Sequence, residues 1–290
     1  MIMAELLLGV VVQGVMTGLV YGLMALGLSV IFGVIRVVNF AHGEFAVLAM
    51  YAAWLAHTQW QLDPILAALP IAAGCFAIGY GLQRGLVSPF VGRAEHEQFI
   101  LLAGVAMVLL NLLLMGFGPD ARPVNLPYAL DSYAIGPVIL DKARLIVAAV
   151  ALVMTGAVIG FFRFTRTGTA IRACADNLLG AAVVGLDVKR LYALTFGIGL
   201  ACVGAAGAML VTISDASPVL AHGFTLQGFI IVIIGGLGSL GGALLGGVLI
   251  GVCEALAGFL WQPSMKSLFS FLLLVAVLAL RPQGLLGKRA

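Results

Sequence analysis

The chain has 290 residues, of which 62% are hydrophobic and only 9% charged, with a formal net charge of +3. Soluble domains carry about a quarter charged residues, so this composition excludes a water-soluble fold. It points to an all-α polytopic membrane protein, because runs of about 18 or more apolar residues cross a hydrocarbon core as helices.

In chain order, apolar spans are predicted near 6–35, 43–57, 63–83, 98–117, 143–162, 190–212, 224–237, 243–260 and 267–280. They describe a bundle of about 8–10 transmembrane helices, and residues 1–290 read as a single transmembrane domain. The opening MIMAELLLG lacks a basic n-region, so the first span is expected to stay rather than be cleaved as a signal peptide. As one helix that run would be about 45 Å long and must tilt, break or overhang the bilayer. The runs at 43–57, 224–237 and 267–280 are short, as expected of broken helices buried in a bundle. With the N-terminus outside, the inside segments hold Arg36, Arg84, Arg93, Arg163, Arg166, Arg172, Lys189, Arg190, Arg281, Lys288 and Arg289. The outside segments hold only Arg122, Lys142, Arg144 and Lys266. The positive-inside rule therefore places the C-terminus in the cytoplasm.

Within 36–46, IRVVNFAHGEF, four polar residues interrupt the apolar pattern. Asn39 is a candidate N-cap for the second helix. Gly43 is expected to give the turn its freedom, and Glu44 would sit in a first turn polarised to favour a carboxylate. Asn39, His42 and Glu44 are also candidates for a polar break lining a translocation path. His42 and Glu44 have no third ligand nearby, so no metal site is expected. Glu254 lies inside the run 243–260, where an ionisable group usually faces a cavity or partner; it is a fourth path candidate. Asn111 is expected to make an interhelical hydrogen bond.

Gly14, Gly18 and Gly22 repeat at intervals of four, as do Gly238, Gly242 and Gly246, and Gly247 and Gly251. Small residues at this spacing let helices pack closely. Gly235-Gly236 is a candidate helix break. The cysteines show no metal spacing and read as packing residues.

Two segments stand outside the spans. Residues 118–142 contain four prolines and are expected to form an irregular outer loop. Residues 163–190 form the longest inside segment. There Ile171, Ala175, Leu178 and Ala182 recur at helical spacing, Gly185 is placed to end a helix, and Asp187 to cap the next. One amphipathic helix is expected, lying in a protein groove or on the lipid surface. The small alanines of the stripe favour the groove.

Three stretches carry a family resemblance: NFAHGE at 39–44, GTAIRACADN at 168–177 and GFIIVIIGGLGSLGGALLGG at 228–247. They resemble the permeases of ABC importers for branched-chain amino acids, a family that also includes urea and amide importers. The resemblance implies a transport subunit of a bacterial inner membrane, not an enzyme. It also implies a second homologous permease, two cytoplasmic ATPase subunits and a periplasmic substrate-binding protein. Residues 168–185 match the family's coupling region, which assigns Ile171, Arg172, Asp176, Leu178, Ala182 and Gly185 to contact with an ATPase. The chain has no G-x-x-x-x-G-K-[ST] phosphate loop; its sole Gly-Lys pair is Gly287-Lys288. ATP and Mg are therefore expected on the partner ATPases, with no cofactor on this chain. Besides membrane lipid and these proteins no partner is expected, nucleic acid included. The competing reading is an ion-coupled secondary transporter of a small solute, for which Glu254 is the clear titratable candidate. No HExxH motif or nucleophile elbow supports a membrane enzyme.

Overall fold

The computed structural model describes residues 2–129, 131–135 and 138–287; Lys288 and Arg289, counted above on the inside, lie outside the described residues. The elements in order are α1 (Ile2–Ile35), α2 (His42–Trp60), α3 (Pro64–Leu82), α4 (Glu95–Phe117), β1 (Ser132–Ile135), β2 (Val138–Asp141), α5 (Lys142–Phe164), α6 (Arg166–Asp176), α7 (Leu178–Val183), α8 (Val188–Leu210), α9 (Leu220–Gly235), α10 (Leu240–Leu260) and α11 (Lys266–Leu280). Every predicted span falls on a helix. Among the described residues seven helical stretches are long and apolar enough to cross a membrane; α2 and the 16-residue α9 are not among them.

The first helix neither breaks nor bends at a proline. It runs 34 residues, about 51 Å, and its first turns project beyond the packed bundle: Met3, Leu6 and Leu8 are exposed. From Gly22 to Val30 it is buried without interruption. With α8 it forms the centre of the bundle. The apolar windows of α1 and α8 are 72% and 83% buried, against 11% for α4 and 6% for the α11 span. The Gly- and Ala-rich α8 has little side-chain bulk and so accepts neighbours all round. The peripheral α4 and α11 turn leucines outward, as a lipid solvent allows. Asn111 lies on this outer face and donates to Met107 O at 2.7 Å within its own helix, so the expected interhelical bond does not form.

Successive spans alternate in direction and give the bundle two unlike ends. Arg36, Arg84, Arg163, Arg166, Lys189, Arg190 and Arg281 cluster at one, the basic end. The far end holds 118–141, where the expected irregular loop is corrected: β1 and β2 pair as an antiparallel ribbon with Ser132 opposite Asp141. The loop is also tied down. Arg122 exchanges two backbone bonds with Ala216, at 2.8 and 3.0 Å, and Tyr128 donates to Asp63 Oδ2 at 2.6 Å. Burial, then the Asp63 carboxylate, raise the Tyr128 phenol above its ordinary pKa.

Gly14, Gly18 and Gly22 pack α1 against α10. A Cβ on Gly18 would lie 2.7 Å from Gly247 O and Val248 Cα, and one on Gly14 would lie 2.8 Å from Gly251 O. The facing ladder is thus Gly247 and Gly251. The set Gly238, Gly242 and Gly246 is not one helical ladder. Gly238 has φ +79° and sits in the turn before α10, against Gly33. Gly242 and Gly246 instead pack α10 on α9, at Gly235 and Ile231 O. Gly235 ends α9 and Gly236, at φ +102°, turns the chain back.

Candidate functional site

The stretch 36–46 folds back into the bundle. Arg36 is exposed at the basic end and adopts φ +58°, a left-handed conformation that ends α1. Val37 to Ala41 then run without helix. His42, the first residue of α2, reaches Met24 O with Nε2 at 3.0 Å. Met24 lies about three turns before the end of α1, roughly 16 Å along its axis. The polar residues therefore start α2 deep inside the bundle, well away from its basic end.

Asn39 does not cap α2. The N-cap position is Ala41, with no side-chain cap, and Asn39 Oδ1 accepts from Ala41 N at 3.1 Å. This local turn satisfies a backbone donor before the helix starts. Gly43 is helical, and its role is close approach rather than turning. Its Cβ would overlap Ala221 O and lie 2.6 Å from Thr225 N. The N-termini of α2 and α9 thus meet inside the bundle. Thr225 locks them: it accepts from Gly43 N at 2.9 Å and donates to Glu44 Oε2 at 3.2 Å. Glu44 does lie in the first turn. Asn39, His42 and Glu44 are all buried, and Asn39 Nδ2 and His42 Nδ1 have no hydrogen-bond partner among the described residues. The sequence reading missed Thr225. Its signal was a hydroxyl and an amide, Thr225 and Gln227, inside the otherwise apolar α9.

Glu254 is not part of this cluster. It lines a cavity of about 460 Å³ at the far end, with Gln13, Arg144 and Lys266. Its Oε1 accepts from Gln227 Nε2 at 3.0 Å and Ser270 Oγ at 3.2 Å. Phe224 lines the same cavity, and the next residue, Thr225, holds Glu44. The first turns of α9 therefore stand between the far-end cavity and the polar junction.

The segment 163–190 is two helices, not one. Thr165 caps α6 by accepting from Gly168 N, and Asn177 breaks the run and caps α7 by accepting from Gly180 N. Gly185, at φ +83°, ends α7, and Asp187 caps α8 by accepting from Arg190 N. The expected stripe is divided. Ile171 is wholly buried against the bundle with Cys174 and Ala181, so it anchors the segment and offers no surface. Arg172 donates to Thr169 Oγ1 at 3.5 Å. Asp176 shares a cavity of about 820 Å³ with Arg36 and the C-terminal segment near Gln283. Leu178 is 48% exposed and Ala182 is exposed. Leu179, Val183 and Val184 join them, each at least 75% exposed. The surface is bulkier than the alanine stripe implied. Among the described residues no cluster of His, Cys, Asp and Glu could hold a metal.

Residues 10–278 match the family model described as the branched-chain amino acid transport system permease component. The chain is 32% identical to the high-affinity branched-chain amino acid transport system permease protein BraD of Pseudomonas aeruginosa, covering 96% of this chain and 94% of that protein. It is 29% identical to LivH of Escherichia coli, a permease protein of the same description, over 95% of this chain and 94% of that one. A probable LivH of Methanocaldococcus jannaschii is 26% identical over 91% and 88% of the two chains. No solved structure gives a significant match. The chain belongs to the branched-chain amino acid transport system permease family.

Proposed function

We propose that this chain is a permease subunit of an ATP-driven importer, and that its bundle carries branched-chain or other hydrophobic amino acids across a bacterial inner membrane. The basic end, with the C-terminus, faces the cytoplasm, as the positive-inside rule directs. The far end takes substrate from a periplasmic binding protein. A second homologous permease stands beside the chain, and two ATPase subunits below it bind ATP and Mg.

The observation that carries this reading is the exposed apolar surface of α7 at the basic end. Leu178, Leu179, Val183 and Val184 project there, while Ile171, Cys174 and Ala181 fix the other face to the bundle. Such an amphipathic knob suits a groove on a partner. Leu179→Asp is expected to uncouple the complex: ATPase activity stimulated by liganded binding protein should fall at least about tenfold, as loss of a buried hot-spot side chain does. Leu272→Ala on the half-exposed face of α11 should leave stimulation unchanged. Normal stimulation and normal co-purification of the ATPases with Leu179→Asp would refute the docking role.

A further inference from the structure

We propose that the far-end cavity is a binding site for a zwitterionic amino acid, with Glu254 holding its ammonium group and Arg144 its carboxylate. The proposal rests on the transport reading above and gives it residues. At about 460 Å³ the cavity falls in the size range of small-molecule sites. Charges of both signs line it. An apolar solute needs neither, and a simple cation or anion matches only one.

The two charged groups are held in place with capacity to spare. Both hydrogen bonds to Glu254, from Gln227 and Ser270, end on Oε1. Oε2 accepts none from the described residues and, on a side chain that lines the cavity, is available to a donor there. Arg144 Nη1 donates to Gln13 Oε1 at 2.9 Å, and Nε lies 3.6 Å from Asp141 Oδ2. Nη2 has no hydrogen-bond partner among the described residues and remains for a carboxylate, which the planar guanidinium fits well. Lys266 supplies a second cation at the rim. Its stem lies over Gly258, where an added Cβ would come within 2.8 Å of Cε. Leu210, Ile213, Leu220 and Phe224 form the apolar wall, which suits an aliphatic side chain. The plainer role for Glu254 is a hydrogen-bonded tie between α9, α10 and α11. That role needs an acceptor at Oε1 but no charge, so Glu254→Gln separates the two.

The test uses the assembled complex in lipid nanodiscs, without binding protein, and measures retention of radiolabelled L-leucine. Two competitors dissect it: 4-methylpentanoate, which lacks the ammonium, and 3-methylbutylamine, which lacks the carboxylate. Each should compete at least about tenfold more weakly than leucine, the factor expected for a lost charged hydrogen bond. Glu254→Gln should weaken leucine by a similar factor, erase the penalty on 4-methylpentanoate and leave co-purification of the subunits intact. Arg144→Gln should erase the penalty on 3-methylbutylamine. Equal competition by leucine and both analogues in the wild-type complex overturns the proposal, and that comparison requires no variant to fold. Unchanged leucine affinity in Glu254→Gln overturns it as well. Leucine uptake by the wild-type complex with binding protein is measured in parallel. Uptake without retention in the nanodisc assay removes the subsite and leaves the transport reading standing. Absence of uptake of any hydrophobic amino acid removes the transport reading, and the subsite with it.

Discussion

Gly43→Ala, the addition of one methyl group, is expected to abolish recovery of assembled complex. The new carbon would overlap Ala221 O and approach Thr225 N at 2.6 Å and its Oγ1 at 2.7 Å. Two of these atoms are backbone of α9 and cannot rotate away. Relief requires separating α2 from α9, which breaks the Gly43 N to Thr225 bond and the Thr225 to Glu44 bond. Overpacking alone costs about 1–3 kcal/mol, and each buried polar group left unpaired adds about 1–3 kcal/mol. The sum rivals the whole stability of many domains. Gly74→Ala is the control, because nothing lies within 4 Å of its added carbon. It should assemble normally. Yield of monodisperse complex and its thermal midpoint check both. A Gly43→Ala complex with the wild-type midpoint would show that the two helix starts are not locked together.

Gly18→Leu should have a comparable effect through a different contact. Gly18 faces the backbone of Gly247 and Val248, where even a Cβ comes within 2.7 Å. Three more carbons, Cγ and two methyl groups, cannot be accommodated unless α1 and α10 part along their length. In lipid there is little hydrophobic gain to restore the contact by another route, since close van der Waals packing is what holds such helices. Gly104→Leu, on the open face of α4 with no atom near its Cβ, is the matched control and should be tolerated. Recovery of full-yield complex with Gly18→Leu would show that the Gly14, Gly18, Gly22 spacing is incidental.

Among the described residues the nine helices that carry the predicted spans were legible because each is an apolar run bounded by polar or proline-rich residues, and that signal is local. The ends of the inner segment were legible too: Gly185 and Asp187 do what glycine and aspartate do at helix termini. Asn177 also carried a capping signal, with Gly180 three residues on, but the surrounding alanines hid the break. The depth of the polar junction was not legible. It depends on Gly43 meeting Thr225, some 180 residues away in sequence, and on Arg36 taking a left-handed turn that favours glycine elsewhere. Nothing local to NFAHGE records either contact. The glycine ladders had the same limit. Their spacing announced close packing, while the pairing of Gly18 with Gly247, and of Gly242 with Gly235, is a property of the bundle. Glu254 was legible as an isolated charge in an apolar run. Its setting was not, because Arg144, Gln227 and Lys266 reach it from three other helices.

The most direct test of the transport function is uptake of radiolabelled L-leucine into vesicles. The vesicles hold this chain with its second permease and ATPases, and the binding protein is added outside. Uptake should require ATP within and binding protein without, and should persist when a protonophore and a sodium ionophore collapse the ion gradients. Uptake driven by an imposed proton or sodium gradient, with no ATP and no binding protein, would contradict an ATP-driven permease and restore the ion-coupled carrier in its place.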